Sequence, residues 1–440
     1  MIVAREGFSS VVANAFVGMG FPAEASHVVY PLGMFMPGSD LTPLEEKLDD
    51  LITGLTKWEP KITEDRVITS PTVRVEGKDY EEVFTNVNRL FLRNKWSDGL
   101  PIIPPTRERV DWLLTGTALS PVKEVARIMP RGGIATVETI AVNLAMAGGR
   151  PEYMPVLIAA VEAITAPEFQ HHRMNPTTCS VYPVVIVNGP IAKQIRLNSG
   201  YGCLGPDPLH PAGASIGRAI RFLLQSAGGA IPGVGTMSIF GGPARYTNIV
   251  FAEDEDGLPS DWQPLNVEQG FPRGSNTVTT YAVASTTNIV GGDTGDEESA
   301  LETLNKATGY MALPNHNYLT NYTHETAAGI LLMARGTAQG LSRLGWSKEA
   351  VKTYLWEHSK VPASKMFALR IRDLPETKQI FSQDPVPISM SPNGIRIVVA
   401  GGAQSGHMMW MQVGPCPKKL TSADIQLPTN WDELLKESEE

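Results

Sequence analysis

Cysteine is scarce in this chain: only three occur among its 440 residues. Cys179, Cys203 and Cys416 lie far apart in the sequence, and none belongs to a CxxC pair. An odd and dispersed set of cysteines argues against a disulfide framework and against a structural zinc site. This usage fits a reducing compartment, so we predict a cytoplasmic location.

Long apolar runs are absent as well. No stretch of 18 apolar residues occurs, and no basic segment leads into an apolar one near the start, so the sequence predicts neither a membrane span nor a secretory signal. No P-loop and no HExxH motif is present. The formal net charge of −9 disfavours nucleic acid and anionic membranes, so we expect small molecules or proteins as partners.

The chain is longer than one hydrophobic core usually organises, so more than one domain is expected. Changes in composition along the sequence indicate the boundaries. Residues 1–58 form a partial α/β segment, 59–79 a linker, 80–425 the main catalytic or binding domain, and 426–440 an acidic tail. Apolar strands alternate with helices, which predicts an α/β or α+β fold, with a partial Rossmann-like N-terminal segment before a larger glycine-rich domain. One strand and two helices cannot close a sheet, so we expect a partner chain or the main domain to complete the first segment.

Local signals predict individual elements of secondary structure. Thr42, Thr106 and Thr136 precede helical patterns and are placed to cap them. Residues 72–76 alternate like a linker strand. The predicted helices are 8–19, one from 42, 80–96, one from 107, 137–147, 155–164, 214–225, 324–335 and 347–358. The predicted strands are 27–30, 184–188, 246–252, 277–284 and 395–400.

Glycine is concentrated between Gly200 and Gly242, where eleven occur in 43 residues. Such density predicts loops pressed against a ligand. Cys203 stands among these glycines ahead of a helix, where backbone N–H groups and the helix dipole can lower the pKa of a thiol, so we predict a catalytic or ligand-contacting role. The alternative is a small buried hydrophobe. Polar contacts to the same ligand would come from Asn198, Ser199 and Tyr201.

Two arginines flank the glycine loops. Arg218 lies one turn into the following helix, and Arg245 follows Gly241 and Gly242. Converging guanidinium groups can bind a carboxylate or phosphate in a bidentate manner, the alternative being two surface arginines. Asp98 is a further candidate for substrate binding.

A second glycine turn presents a histidine near the C-terminal end. The apolar run that starts at Ile397 breaks at Gly401 and Gly402 and leads to His407. A strand that ends in a glycine turn places functional groups at the carboxyl end of a sheet, so we predict that His407 is a general acid or base. The alternative is an ordinary loop histidine.

Metal ligation is an open alternative. His316, His324 and Glu325, with Glu253 from the acidic run 253–256, could hold an ion, although their spacing matches no established motif. A solvated acidic turn is the other interpretation of 253–256. We predict no cofactor, with a metal ion as the alternative.

Seven segments together resemble the UGSC (seleno)proteins, a family named for a selenocysteine-or-cysteine Gly-Ser-Cys motif. They span most of residues 80–412, and residues 1–55 resemble the end of the smaller domain that carries the motif. The resemblance implies the family's architecture and thiol redox chemistry. The matching segments are 96–106, 137–147 with 150–155, 187–190, 198–206, 245–247 with 251–253, 345–348 with 354–358, and 397–407.

The chain departs from this family at its defining motif. No cysteine precedes Cys179, so the motif is missing, and the chain starts in the middle of the domain that should hold it. Tyr30 and Thr287 stand where the family pattern has histidines. A separate small subunit with the reactive cysteine or selenocysteine would explain the missing part.

We therefore predict the large subunit of a soluble two-component enzyme and an oligomeric assembly. A partner thiol or selenol would meet a pocket built by Cys203, Arg218, Arg245 and His407, for redox or lyase chemistry on a small polar, anionic molecule. Two alternatives stay open. One is a metal-dependent hydrolase or hydratase that uses His316, His324 and Glu325, and the other is a non-catalytic binding or scaffold subunit.

Overall fold

The computed structural model describes residues 2–23, 25, 27–30, 40–59, 72–245, 247–292, 296–312, 328–365, 379, 382–414 and 419–439. The strands are β1 (Ile2–Arg5), β2 (His27–Tyr30), β3 (Glu124–Ile128), β4 (Gly133–Thr136), β5 (Tyr182–Asn188), β6 (Ile249–Ala252), β7 (Thr277–Val290), β8 (Gly329–Met333), β9 (Lys360–Val361), β10 (Val386–Pro387), β11 (Ile395–Val399), β12 (His407–Val413) and β13 (Thr421–Asp424).

The α-helices alternate with these strands along the chain. They are α1 (Ser9–Gly18), α2 (Thr42–Glu45), α3 (Leu48–Thr56), α4 (Tyr80–Arg93), α5 (Arg107–Leu114), α6 (Val137–Met146), α7 (Met154–Thr165), α8 (His171–Met174), α9 (Ile191–Gln194), α10 (Ala212–Ser226), α11 (Leu265–Glu268), α12 (Asp296–Met311), α13 (Arg335–Arg343), α14 (Lys348–His358) and α15 (Trp431–Glu439). The α/β class expected from the sequence is confirmed. Within the described residues, no helix is both long and apolar enough to cross a membrane.

The central sheet is mixed and has the strand order β11-β8-β12-β7-β5-β6. The pairs β5–β6 and β8–β11 are parallel, and the other neighbours in this order are antiparallel. The long strand β7 joins the two halves, because its first part pairs with β5 and β13 and its second part with β12. The amide of Asp254, just after edge strand β6, donates to the carbonyl of Val399 in edge strand β11 at 2.8 Å. The sheet is therefore curled so that its two edges approach each other.

The inner face of the curled sheet is apolar. Alternate residues of its strands point inward and form one buried cluster, which includes Val184, Phe251, Tyr281, Leu332 and Met411. Helices cover the outer face in two groups: α6, α7 and α10 lie on one half and α12, α13 and α14 on the other. Burying apolar side chains on both faces gives the sheet most of its stability.

The N-terminal segment packs against the main body. Strands β1 and β2 are parallel and are joined by α1. The hydroxyl of Ser10 donates to the carbonyl of Gly233 at 2.9 Å, and the Asn14 amide donates to that of Gly229 at 3.4 Å. A Cβ atom on Gly18 would lie 1.2 Å from the carbonyl oxygen of Arg131, so only glycine fits there. Helix α1 therefore sits on the glycine-rich loop after α10.

The C-terminal segment also joins the main body. Helix α15 lies in the part that composition sets apart as an acidic tail. Its Trp431 and Leu434 are buried in the same cluster as α7, and the Trp431 indole N–H donates to Gln194 at 3.1 Å. Its acidic residues therefore lie on a helix that is packed onto the main domain.

Two of the three predicted caps are confirmed. The hydroxyl of Thr106 accepts from the amide of Arg109, and that of Thr136 accepts from the amide of Thr139. The Thr42 prediction is wrong, because α2 begins at Thr42 itself and Asp40 accepts both its amide, at 2.9 Å, and its hydroxyl, at 2.6 Å.

Two predicted elements are wrong. Residues 329–333, expected within a helix, form strand β8 in the middle of the sheet. The continuous apolar run from Ile330 to Met333 is buried on both faces, and such a run does not by itself distinguish a strand from a helix. Residues 72–77 belong to no strand.

Candidate functional site

The two predicted glycine turns meet at the edge of the sheet. The carbonyl of Asn198 accepts from the amide of Ala252 at the end of β6, and the carbonyl of Ser199 accepts from the amide of Gly401, both at 2.9 Å. Gly402 has φ of +100°, and a Cβ atom there would lie 2.7 Å from the ring of Tyr201. The close approach of the Tyr201 ring therefore requires glycine on the opposite turn.

Asn198 organises its own loop. Its side-chain oxygen accepts from the amide of Gly200 at 2.7 Å. Its side-chain nitrogen donates to the carbonyl of Tyr201 and to the carboxylate of Asp207, both at 2.9 Å. Asn198 is buried, so these contacts fix the loop and leave its amide little capacity to bind a ligand.

Cys203 is enclosed by the apolar inner face of the sheet. Its side chain is 6% exposed and belongs to the inner cluster. Burial raises the pKa of the Cys203 thiol to about 12. The prediction of a lowered pKa is wrong, because α10 begins only at Ala212 and burial outweighs any dipole effect. The alternative interpretation, a small buried hydrophobe, describes the observed position.

The Cys203 loop also contains a motif that the sequence analysis did not identify. Residues 200–205 read G-x-G-x-x-G, the pattern of dinucleotide-binding turns. That motif works when it follows a strand directly and opens a helix, so that the helix N-terminus meets the pyrophosphate. Here helix α9 intervenes after β5, and α10 does not begin until Ala212. The spacing alone therefore does not make this loop a nucleotide site.

An aspartate–histidine pair lies in the same region and was not predicted. Asp207 Oδ2 is 2.5 Å from Nδ1 of His210, and the His210 side chain is 40% exposed. The hydrogen bond from His210 lowers the pKa of Asp207. A carboxylate on Nδ1 leaves Nε2 of a neutral imidazole as the proton acceptor. The sequence signal, an aspartate three residues before a histidine after a Gly-Pro turn, is too common to have been recognised.

The predicted arginines form a cluster with a third. Arg218 donates to both carboxylate oxygens of Asp98, at 2.9 and 3.0 Å, and the charge of Asp98 also acts on Arg221. Arg245 donates to the carbonyl of Val181 and to the hydroxyl of Thr236, both at 2.9 Å. We name Asp98, Arg218, Arg221 and Arg245 the arginine cluster.

The arginine cluster carries uncompensated positive charge. Burial, followed by repulsion from Arg221, lowers the pKa of Arg245 to about 10. Burial also lowers the pKa of Arg221, although Asp98 opposes the shift. Asp98 pairs with Arg218 and acts on the charge of Arg221, whereas Arg245 makes no ion pair with a described residue. Such an arrangement is stabilised by a bound anion, because buried charges need partners.

The predicted single pocket is not supported. Arg245 contacts Val181, which precedes β5, whereas the Cys203 loop contacts Ala252 at the end of β6. His407 begins β12, is exposed, and has Nδ1 3.0 Å from the carbonyl oxygen of Ser405. Among the described residues, no hydrogen bond or ion pair joins Cys203, Arg245 and His407 to one another. The arginine cluster and the Cys203 loop are therefore treated as separate places on the molecule.

The acidic run 253–256 is buried at its first two residues, whereas Asp256 is exposed. Glu253 is buried, and its Oε2 accepts from the side chain of Asn188 and from the amide of Leu265, both at 2.7 Å. Burial raises the pKa of Glu253. Asp254 is also buried and pairs with Arg335 at 2.6 Å. These carboxylates hold loops together.

Metal ligation receives no support from this part of the chain. Within the ranges that the structure covers, no group of three or more histidine, cysteine, aspartate or glutamate residues could hold an ion. His316, His324 and Glu325 lie outside the described residues, as does Cys416.

A second buried charged group links α11, α14 and β11. The Glu268 carboxylate lies 2.5 Å from Lys348, 2.8 Å from Lys352 and 3.7 Å from Arg396. The Lys348 side chain is 1% exposed, and its ammonium also donates to the carbonyl of Gln263 at 2.7 Å. Three cations therefore face the single Glu268 carboxylate, and the buried Arg396 Nε has no hydrogen-bond partner among the described residues.

The N-terminal segment brings further polar atoms to the arginine cluster's side of the molecule. Arg221 donates to the carbonyl of Ala230, and Arg245 to Thr236, in the glycine-rich loop on which α1 packs. Arg5 and Tyr30 end the parallel strands β1 and β2 opposite each other. The buried Arg5 Nε and Tyr30 hydroxyl have no hydrogen-bond partner among the described residues.

Comparison with family models, with curated proteins and with solved structures finds no match for this chain.

Proposed function

We propose that this chain is the large subunit of a two-component enzyme that acts on a small anionic molecule bound at the arginine cluster. The observation that carries the proposal is the excess of three guanidinium groups over the single carboxylate of Asp98. A bound carboxylate or phosphate would neutralise that excess. Arg221 and Arg245 are the principal ligands, because Asp98 already engages Arg218 with both oxygens.

The proposal assigns the reactive thiol or selenol to a partner chain. The buried Cys203 thiol, with its pKa raised to about 12, is a poor nucleophile at neutral pH. The resemblance to UGSC proteins implies that the reactive cysteine or selenocysteine belongs to the small domain whose end residues 1–55 resemble. Helix α1 contacts the same glycine-rich loop as Arg221 and Arg245, so the N-terminal segment lies beside the arginine cluster.

The chemistry that follows is thiol-dependent redox or lyase chemistry. The guanidinium groups of the cluster would orient the anion and stabilise negative charge that develops on it. The partner's thiolate would be the nucleophile that attacks the bound molecule.

Anion binding tests the cluster directly. We expect inorganic phosphate, sulfate or succinate to raise the melting temperature of the purified chain. Arg245→Gln should lower the affinity for that anion by at least about tenfold, because losing a buried charged partner costs roughly 2–5 kcal/mol. Isothermal titration calorimetry measures the change. The matched control is Arg173→Gln, which removes an exposed arginine on α8. Equal affinities in wild type and Arg245→Gln would contradict the proposed site.

The partner chain needs a separate measurement. Purification of the tagged chain from its native host should recover a smaller cysteine- or selenocysteine-containing polypeptide in fixed proportion. Full activity of this chain alone would exclude the two-component enzyme. Anion binding with no turnover by the reconstituted pair would favour the non-catalytic binding subunit instead.

A further inference from the structure

A large apolar cavity lies apart from the arginine cluster. Its volume is about 840 Å³, within the roughly 300–1,000 Å³ typical of small-molecule sites and far above the water-sized voids of a packed interior. One wall comes from the extended segment 72–78 and α4, and the other from the arm before α5 and from α6. Representative apolar lining residues are Val75, Val87, Phe91, Pro104, Val142 and Met146.

The walls are well anchored. Val87 on α4 packs in a buried cluster with Ile102, Met146 and Phe222, so the helix is held beside the cavity without filling it. The Asn88 side chain accepts from the amide of Ile102 at 2.9 Å, which ties α4 to the proline-rich arm. The space is therefore bounded by ordered elements of the fold and is partly open to solvent.

Polar side chains also line the cavity. Arg107 and Glu138 form an ion pair with each other, so their charges are compensated. Arg131 makes no ion pair with a described residue. Ser226 donates to the side-chain oxygen of Asn143 at 3.2 Å beside it. The lining therefore combines a large apolar surface with Arg131 and several neutral polar side chains, which are Thr72, Thr106, Thr139, Asn143 and Ser226.

We propose that this cavity binds an amphipathic carboxylate, with its hydrocarbon body against α4 and α6 and its carboxylate at Arg131. Hydrocarbon burial contributes about 0.8 kcal/mol per methylene group, so the apolar walls favour a chain of many carbons. The unpaired guanidinium selects an anionic head over a neutral or cationic one. None of the lining residues belongs to the arginine cluster, so this site is independent of the proposed function.

The test uses the full chain and a fluorescent dansylated undecanoic acid as the probe. We expect saturable fluorescence enhancement with one site per chain and displacement by dodecanoate. Two variants fill the cavity from opposite walls: Val83→Trp and Val142→Trp. Each should lower the affinity for the probe by at least about tenfold. Val122→Trp adds the same side chain at an exposed position and should bind as wild type. Circular dichroism confirms that each variant is folded.

The contact with the carboxylate of the ligand is tested at Arg131, an exposed residue whose replacement leaves the core intact. Arg131→Gln should lower the affinity for dodecanoate by at least about tenfold and leave the affinity for dodecanol unchanged. Arg173→Gln, distant in the sequence and also exposed, should change neither. Unchanged probe binding in both tryptophan variants, or no probe binding to wild type, would overturn the site. Equal losses for dodecanol and dodecanoate in Arg131→Gln would overturn the anionic head.

Discussion

At the scale of single residues, burial decides the chemistry of Cys203. A thiol in water has a pKa near 8.5. With the pKa of Cys203 raised to about 12, the thiolate fraction at pH 7 is on the order of one in 10⁵. The flanking glycines drew attention to this thiol in the sequence, but they serve the close packing of loops. Glycine density marks where backbones approach each other and does not say whether a ligand lies between them.

The burial of Cys203 predicts slow chemical modification. In a Cys179→Ser, Cys416→Ser background, an aromatic disulfide reagent at pH 8 should modify Cys203 only after the chain is unfolded by denaturant. The reason is that attack requires an accessible thiolate. The release of the coloured thiol, followed with and without urea, measures this. Rapid modification of the folded chain would show that the loop opens in solution.

Glu268 predicts a pH dependence of stability. Burial opposes ionisation of this carboxylate, but Lys348 and Lys352 outweigh it and lower its pKa below 4.5. A carboxyl whose pKa is lower in the folded state stabilises the fold above pH 4.5, and this contribution is lost as the pH falls through the folded-state value. Glu268→Gln should therefore lower the free energy of unfolding at pH 7 by about 3–5 kcal/mol.

The measurement for Glu268 is urea unfolding of wild type and variant at several pH values. The difference between them should shrink as the pH falls below 4.5. Glu349→Gln removes an exposed carboxylate from the same helix α14 and should cost little at any pH. A difference that stays constant into the acid range would show that charge at Glu268 is not the cause.

At the scale of elements, local signals predict what local interactions decide. Thr106 and Thr136 cap their helices as expected, because a capping contact spans three residues. Strand β8 was mistaken for helix, since its identity depends on pairing with β11 and β12 from distant parts of the chain. Strand β1 was not predicted, because its four residues are too few to show an alternating pattern.

Helix α10 offers a test in which packing opposes helix propensity. Alanine is about 1 kcal/mol more favourable than glycine inside a helix. A Cβ atom at Gly217 would nevertheless lie 1.8 Å from the carbonyl oxygen of Thr247, whereas one at Gly309 in α12 would meet nothing within 4 Å. Gly217→Ala should therefore destabilise the protein by roughly 1–3 kcal/mol, and Gly309→Ala should stabilise it slightly. Thermal unfolding compares the two, and the same sign for both would refute the packing argument.

At the scale of the whole molecule, the candidate site was only partly predictable. Arg218 and Arg245 were expected to bind an anion, but the third guanidinium, Arg221, was recognisable only after α10 and the glycine loop were placed side by side. The pairing of Arg218 with Asp98 depends on an arm 120 residues away in the chain. The separation of His407 from Arg245 follows from strand order, which no local pattern encodes.

The position of the N-terminal segment carries the last prediction. Gly18 lies in close contact with the main body, since a Cβ atom there would lie 1.2 Å from the carbonyl oxygen of Arg131. Gly18→Ala should push α1 away from the loop at 228–236 and break the bonds from Ser10 and Asn14. Val17→Ala, at a more exposed neighbouring position, should not.

Hydrogen exchange detects this displacement at the residues concerned. In Gly18→Ala, amides of α1 and of residues 228–236 should exchange faster, while those of the central sheet keep their protection, because local opening leaves the main core intact. Anion affinity at Arg221 and Arg245 should fall in the same variant, since their acceptors Ala230 and Thr236 belong to the loop that α1 holds. Faster exchange with unchanged anion affinity would show that the N-terminal segment does not support the arginine cluster.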